Sequence, residues 1–149
     1  GLEVAKAASM VSVASIVGIF VGPITGIVAD KVGSRKYPMG FLMLAGAAVY
    51  AAMPIFPTSS FLLIIVLFGI AVMGMPGLVF AAVTEVIDSP EHANMAVATV
   101  NLMQSFGSFL SAVVFGYFVD GFGWTMAFYA IIPIAVAGAV TSFINKRLP

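Results

Sequence analysis

The sequence predicts an all-α membrane protein with five transmembrane helices. Two observations carry this prediction. Hydrophobic residues make up 62% of the 149 residues and charged residues only 8%, whereas a soluble domain has about 45–50% apolar and about 25% charged residues. The ionisable side chains also fall in short clusters separated by long uncharged segments. The formal net charge is zero, so no nucleic-acid partner is expected.

The five predicted spans are the segments that contain no Asp, Glu, Lys, Arg or His: residues 7–29, 37–57, 59–84, 93–119 and 122–144. Each is long enough to cross about 30 Å of hydrocarbon as a helix. A charged side chain at the bilayer centre costs a few kcal/mol, so long segments without charge indicate membrane spans. Five buried helices of a water-soluble bundle would instead need polar outer faces, which these segments lack. We therefore expect residues 1–149 to form a single transmembrane domain in contact with the lipid bilayer.

The first three spans are separated by turns of suitable composition. A charged turn covers residues 30–38, and an uncharged turn rich in proline and serine covers residues 54–60. Within the third span, Gly69, Gly74, Pro76 and Gly77 predict a weak point, because proline removes a backbone hydrogen bond.

The last two spans have their own start signals. Ser89, Pro90 and Glu91 are typical of a helix N-cap, a proline at the first helical position and an acid in the first turn, so the fourth span should begin there. Residues 120–124 form a glycine-rich turn with aromatic side chains, which suits the membrane interface.

The basic residues predict the orientation. Alternating the five spans places Lys6 on one side and five cations on the other: Lys31, Arg35, Lys36, Lys146 and Arg147. By the positive-inside rule the five-cation side is cytoplasmic. We expect a multi-pass protein of the plasma (inner) membrane with its N-terminus outside and its C-terminus in the cytoplasm. An odd number of spans and a first residue other than Met suggest a piece of a larger protein.

The loop between the first two spans carries the most specific pattern in the sequence. It has a glycine, three residues, an aspartate, a basic residue, one further residue, a second glycine and, after Ser34, a basic pair. This string resembles the cytoplasmic loop signature of the major facilitator superfamily, in which many members have arginine where Ser34 stands. The matching residues are Gly26, Asp30, Lys31, Gly33, Arg35 and Lys36. The resemblance implies a twelve-helix fold made of two six-helix halves.

In that family the loop aspartate latches one half of the transporter against a helix of the other half in one conformation, which implies this role for Asp30. Asp30 ends its own helix, where the macrodipole disfavours an acid, so it should face another helix N-terminus or a basic residue. Gly33 would permit the sharp turn by adopting a positive φ. The alternative is that the basic residues are purely topogenic, with Asp30 as a solvated counterion; that leaves the spacing of the two glycines unexplained.

Glu85 completes the implied latch. Glu85 and His92 stand seven residues apart at the next cytoplasmic turn. Some sugar-carrying members of the family have Glu and Arg at that separation, where they pair with the basic loop. His92 departs from this pattern, so the resemblance does not extend to sugar specificity, and His92 is better explained as a solvated loop residue.

The closing segment indicates which half this is. Residues 116–128 are similar to the penultimate turn of a six-helix facilitator half. Counting backward gives spans two to six or spans eight to twelve of the whole protein. Ser34 before the basic pair, and the ending at residues 145–149, fit the C-terminal half better, so we expect spans eight to twelve and a missing half as partner.

The fourth span has a polar face. At 100° per residue, Asn94, Asn101, Gln104, Ser105, Ser108 and Ala112 fall on an arc of roughly 100°. The corresponding span of a facilitator's C-terminal half lines the central cavity, so the candidate substrate contacts are Asn101, Gln104, Ser105 and Ser108. Hydrogen bonding between helices, worth about 0.6–2 kcal/mol per contact, explains the same face equally well.

The expected function is that of a fragment of a secondary transporter, a symporter or antiporter that moves a small organic solute by alternating access. No span contains a carboxylate of the kind that marks a buried proton carrier. The sequence shows no nucleophile set, metal set or phosphate loop, so we expect neither an enzyme nor a cofactor. The alternative is a small non-transporting membrane protein, an assembly or scaffold subunit complete at five spans.

Overall fold

A computed structural model of the chain describes residues 4–87 and 89–145, without the side chains of residues 4–8 and 58. These residues form five α-helices: α1 (Val4–Val32), α2 (Lys36–Ala52), α3 (Phe61–Met73), α4 (Met75–Val86) and α5 (Pro90–Ile144). A short 3₁₀ turn, Thr58–Ser60, precedes α3. The described residues include no strand, so the predicted all-α class is confirmed.

Helices α1 and α3 run parallel and in close contact. Gly69 of α3 packs so tightly on α1 that a Cβ at this position would lie 2.9 Å from the carbonyl oxygen of Ala14. Further along both helices, the Thr25 hydroxyl donates a hydrogen bond of 3.2 Å to the carbonyl oxygen of Gly74. Because residue numbers rise together along the interface, the two helices point the same way, as alternate membrane spans must.

Helix α2 packs on the far part of α5. The Ser142 hydroxyl donates to the Lys36 carbonyl oxygen at 3.0 Å. Four residues on in α2, Gly40 lies against the ring of Phe143, so closely that a Cβ there would overlap the ring. Further along α2, Met43 lies against Gly138, an earlier residue of α5. Residue numbers thus rise in α2 as they fall in α5, and the two segments run antiparallel.

Helix α5 is not one straight rod. Gly123 has φ 82° and ψ 169°, a backbone conformation that L side chains rarely adopt. The rings of Phe115 and Phe128 lie 5.5 Å apart between centroids, although thirteen residues of straight helix would separate them by about 20 Å. The chain therefore folds back at Gly123. We call residues 90–122 the first limb of α5 and residues 124–144 its second limb.

The predicted count of five spans does not correspond helix for helix to the structure. Three helical stretches of the described residues are long and apolar enough to cross a membrane: Ser9–Val32, Phe61–Val86 and Pro90–Ile144. The fold-back at Gly123 divides the last stretch into the two limbs. Helix α2 has 17 residues, about 25 Å, which is shorter than the hydrocarbon core.

Two boundaries differ from the prediction for identifiable reasons. The second span was predicted to reach residue 57, but α2 ends at Ala52, just before the turn that contains Pro54 and Pro57. The third predicted span, residues 59–84, is divided at Gly74 into α3 and α4. Pro76 has no backbone N–H to continue the hydrogen bonds of α3. The weak point that the glycines and proline predict in this span is therefore confirmed.

The interior of the bundle is built largely from small side chains. Seven of the eleven buried apolar residues in the described part of the chain are alanines: Ala14, Ala29, Ala47, Ala71, Ala82, Ala127 and Ala139. Large apolar side chains such as Phe20, Phe41 and Phe109 are instead exposed. Small residues let helix backbones approach closely in a membrane, where apolar side chains gain nothing by turning inward. The outer surface is therefore suited to hydrocarbon contact.

The close contact at Gly69 makes a testable prediction. Gly69→Ala in the full-length protein should lower its thermal stability in detergent, by roughly 1–3 kcal/mol, since the added methyl meets the backbone oxygen of Ala14. Gly22→Ala is the matched control in α1, because a Cβ at Gly22 meets nothing within 4 Å. Thermal unfolding followed by size-exclusion chromatography measures both. Equal melting temperatures for the two variants would contradict the close packing of α1 on α3.

Candidate functional site

The turn between α1 and α2 is fixed by backbone hydrogen bonds. The Ser34 N–H donates to the Ala29 carbonyl at 3.3 Å, and the Gly33 N–H donates to the Asp30 carbonyl at 3.2 Å. This pair of bonds is a Schellman motif, which ends a helix with one residue in the left-handed conformation. Gly33 is that residue, with φ 67°. The predicted positive φ at Gly33 is confirmed.

The turn brings Arg35 between two carboxylates. Its Nη2 donates to Asp30 Oδ1 at 2.9 Å, and its Nε donates to Glu85 Oε1 at 2.7 Å. Nη2 also contacts the same oxygen of Glu85. Asp30 and Arg35 lie on either side of the turn, whereas Glu85 comes from the last turn of α4, fifty residues away. We call these three residues the ionic cluster.

Burial differs sharply within the ionic cluster. The Arg35 side chain is 12% exposed, Glu85 is 39% exposed and Asp30 is 66% exposed. The hydrogen bond to Glu85 raises the pKa of the Arg35 guanidinium above its ordinary value, so this group stays charged at every physiological pH. Arg35 is thus a largely enclosed cation that ties two chain segments together, while most of the Asp30 carboxylate is exposed.

An apolar cluster lies directly beneath these charges. It joins three helices through Ala29, Met39, Leu78 and Ala82, of which Leu78 and Ala29 are each 1% exposed. Ala29 precedes Asp30 in α1, and Ala82 lies three residues before Glu85 in α4. The packing of the helix ends therefore determines where the carboxylates stand, and the ion pairs form on that support.

The remaining residues of the predicted latch are placed apart from the ionic cluster. Lys31 is exposed and Lys36 is partly buried, and neither forms an ion pair within the described part of the chain. A Cβ at Gly26 would meet nothing within 4 Å. His92 is exposed near the start of α5. The structure thus brings together Asp30, Arg35 and Glu85. Of the two partners expected for Asp30, a helix N-terminus or a basic residue, it shows the basic residue.

The end of the bundle that holds the ionic cluster also receives the end of α5, through the bond of Ser142 to Lys36. This arrangement agrees with the alternation of spans that the charge clusters predict. Lys6, Lys146 and Arg147 also bear on the predicted orientation, but Lys146, Arg147 and the side chain of Lys6 lie outside the described residues.

The four candidate substrate residues share one feature: Asn101, Gln104, Ser105 and Ser108 are all exposed. They lie on the first limb of α5, where every residue from 101 to 114 is exposed. In the described part of the chain their side chains make no hydrogen bond, while the Ser111 hydroxyl donates to the Ser108 backbone carbonyl at 2.9 Å. Their role in binding stays a prediction.

The same limb lines an apolar cavity of about 810 Å³. This cavity lies between the two limbs of α5, α1, α2 and α3, at the end of the bundle away from the ionic cluster. Tyr50 and Ser111 are its only lining residues with polar side chains. None of the four candidate substrate residues lines it, although Ala112, which lies on the same arc of the limb, does.

One polar contact was not anticipated from the sequence. Thr25 donates to the Gly22 carbonyl at 2.8 Å and to the Gly74 carbonyl at 3.2 Å. Gly74 is the residue at which α3 ends and α4 begins, so a side chain of α1 partners the backbone at the break. The glycine and proline at residues 74 and 76 indicate a break, but nothing local indicates that Thr25 faces it.

Charged and metal-ligating side chains are sparse elsewhere. In residues 4–87 and 89–145 no group of three His, Asp or Glu side chains lies close enough to hold a metal ion.

Comparison with known proteins identifies the class. A sequence model described as the Major Facilitator Superfamily matches residues 1–149. No curated protein and no solved structure matches the chain. Helices of membrane-spanning length and this match define a multi-pass membrane protein of the transporter class. The chain belongs to the Major Facilitator Superfamily, a family of transporters, as the loop pattern around Asp30 predicts.

The ionic cluster can be tested by a double-mutant cycle of Arg35→Gln and Glu85→Gln. Each single variant should lower thermal stability, and the double variant should lose less than the sum, with a coupling of about 0.5–1 kcal/mol, since one contact can be lost only once. Arg35→Gln combined with Glu91→Gln is the control pair. Additive losses in the Arg35 and Glu85 cycle would show that the two side chains do not interact.

Proposed function

We propose that residues 1–149 form part of a secondary transporter that moves a small organic solute across the membrane by alternating access. The remaining wall of the solute pathway would come from further membrane helices, most simply the N-terminal half, with this chain supplying spans eight to twelve. The observation that carries the proposal is the ionic cluster, in which Arg35 joins Asp30 to Glu85 while most of the Asp30 carboxylate remains free.

The geometry of Asp30 suits a reversible latch. Arg35 contacts only its Oδ1 atom, so the other oxygen is available to a second helix. Contacts between partly exposed charges are worth only about 1 kcal/mol or less. A latch of that strength can bias two conformations without locking either, which is what alternating access requires. Glu85 would hold Arg35 in place while Asp30 engages and releases its partner.

The polar face of the first limb suits a pathway for solute. Asn101, Gln104, Ser105 and Ser108 present two amides and two hydroxyls along one side of a helix. Polar side chains at membrane depth generally face a bundle interior or a water-filled cavity rather than hydrocarbon. We propose that this face lines the pathway and contacts the solute. Because none of the five uncharged segments carries a carboxylate, groups that couple transport to an ion would lie on helices outside this chain.

The proposed orientation places the ionic cluster in the cytoplasm and the turn at Gly123 outside, in the plasma (inner) membrane, with the N-terminus outside and the C-terminus inside. The excess of Lys and Arg around Asp30 supports it through the positive-inside rule. A non-transporting five-span scaffold protein is not favoured, because the whole chain matches a transporter family.

Asp30→Asn tests the latch. In the full-length protein this variant should reduce the rate of solute uptake several-fold, because the neutral amide keeps the size of the side chain but loses its charge. The amount of protein in the membrane should stay unchanged. Glu91→Gln is the matched control, since Glu91 is an exposed acid near the same end of the bundle that makes no contact with the ionic cluster. Undiminished uptake by Asp30→Asn would count against the latch.

Single alanine substitutions along the first limb test the proposed pathway. Asn101→Ala and Gln104→Ala should raise the KM for the transported solute about tenfold, since each removes a hydrogen bond worth roughly 1–1.5 kcal/mol. Val113→Ala, on the apolar face of the same limb, should leave KM unchanged. Uptake kinetics in proteoliposomes provide the measurement, and an unchanged KM in both amide variants would rule out contact with the solute.

A further inference from the structure

An apolar groove of about 500 Å³ lies between α1 and α2 at the end of the bundle that holds the ionic cluster. It is lined by Thr25, Val28, Val32, Tyr37, Pro38, Phe41 and Leu42. Several of these side chains, including Val28, Tyr37 and Phe41, are more than two-fifths exposed. The Thr25 hydroxyl already donates to two backbone carbonyls. The groove is therefore open at the surface and offers its occupant almost purely apolar contact.

Two cations stand beside this groove. The Lys36 ammonium lies 5.7 Å from the ring centroid of Tyr37, which is one wall of the groove. Lys31 follows Val28 by three residues in α1, a spacing that makes the two side chains neighbours on a helix surface. Neither ammonium lies within ion-pair distance of a carboxylate among the described residues.

We propose that this groove binds an anionic phospholipid, with an acyl chain against the apolar walls and the phosphate between Lys31 and Lys36. The charges of the described residues support this occupant. An apolar helix of another segment would fill the groove but leave both ammonium groups without a counterion. A zwitterionic lipid brings a phosphate together with a cation that the lysines repel.

The location supports the same occupant. Anionic lipids are concentrated in the cytoplasmic leaflet, and basic pockets between membrane helices on that side bind their headgroups. Lysine side chains reach toward the headgroup layer while their methylene stems remain in apolar contact. The inference rests on the proposed orientation, but its test measures lipid binding, so it can fail while the transport function stands.

The experiment uses the full-length protein in lipid nanodiscs, with Phe41→Trp as a fluorescent reporter in the groove wall. Trp124, the single tryptophan of residues 1–149, is replaced by phenylalanine, as are tryptophans elsewhere in the protein. Phosphatidylglycerol and phosphatidylcholine, each with brominated acyl chains, serve as quenchers. The ratio of the two quenching efficiencies gives the relative affinity of the groove for the anionic lipid.

The expected result is a preference for phosphatidylglycerol of about fivefold per lysine. Lys31→Gln with Lys36→Gln should bring the ratio close to one, while quenching by phosphatidylcholine persists and shows that the groove is intact. Lys6→Gln, which removes the same charge from the opposite end of α1, should keep the preference. Inorganic phosphate should leave the quenching unchanged, because it lacks the acyl chain.

Three results would overturn the inference. Equal quenching of the unmodified groove by the two lipids would show that it does not select the anionic headgroup. Absence of quenching by either lipid would show that another protein segment covers the groove. A preference that survives the double lysine substitution, or that inorganic phosphate abolishes, would show that the two lysines and an acyl chain do not act together.

Discussion

The exclusion of charge from hydrocarbon is the constraint on which the rest of this structure depends. Because a charged group at the bilayer centre is costly, the ionisable side chains are confined to the ends of the helices. Those ends are therefore the places where this chain can make ionic contacts. The cluster of Asp30, Arg35 and Glu85 forms at one such end, where two turns distant in sequence meet.

Close helix packing then determines which end groups meet. In a membrane, apolar burial does not distinguish one helix pair from another, so van der Waals fit and backbone approach decide the arrangement. Gly69 on the backbone of Ala14 and Gly40 on the ring of Phe143 are contacts of this kind. They hold α1 beside α3 and α2 beside the second limb of α5. With those pairs in place, Glu85 at the end of α4 comes within reach of Arg35 at the start of α2.

The charged residues at this end of the bundle have two different proposed roles, one in the latch and one in lipid binding. Arg35 is occupied inside the chain, and most of the Asp30 carboxylate is directed outward. Lys31 and Lys36 border an apolar groove instead. One short turn, shaped by Gly33, thus presents an acid for contact with protein and two ammonium groups for contact with lipid. The sequence pattern of the loop indicates the first task, whereas the second depends on the groove that α1 and α2 form together.

Amino-acid order by itself determined the helical class, the weak point near Gly74, the positive φ of Gly33 and the family. Each of these follows from local chemistry: the lack of charge over membrane-spanning lengths, the missing N–H of proline and the conformational freedom of glycine. It also predicted a basic partner as one of two choices for Asp30. Only the tertiary structure decided that this partner is Arg35 and that Glu85 shares it. It also decided that Thr25 hydrogen-bonds to the backbone at the break between α3 and α4, and that a groove opens beside the two lysines. These features depend on the angles and separations of helices that are far apart in the chain, and no local pattern encodes them.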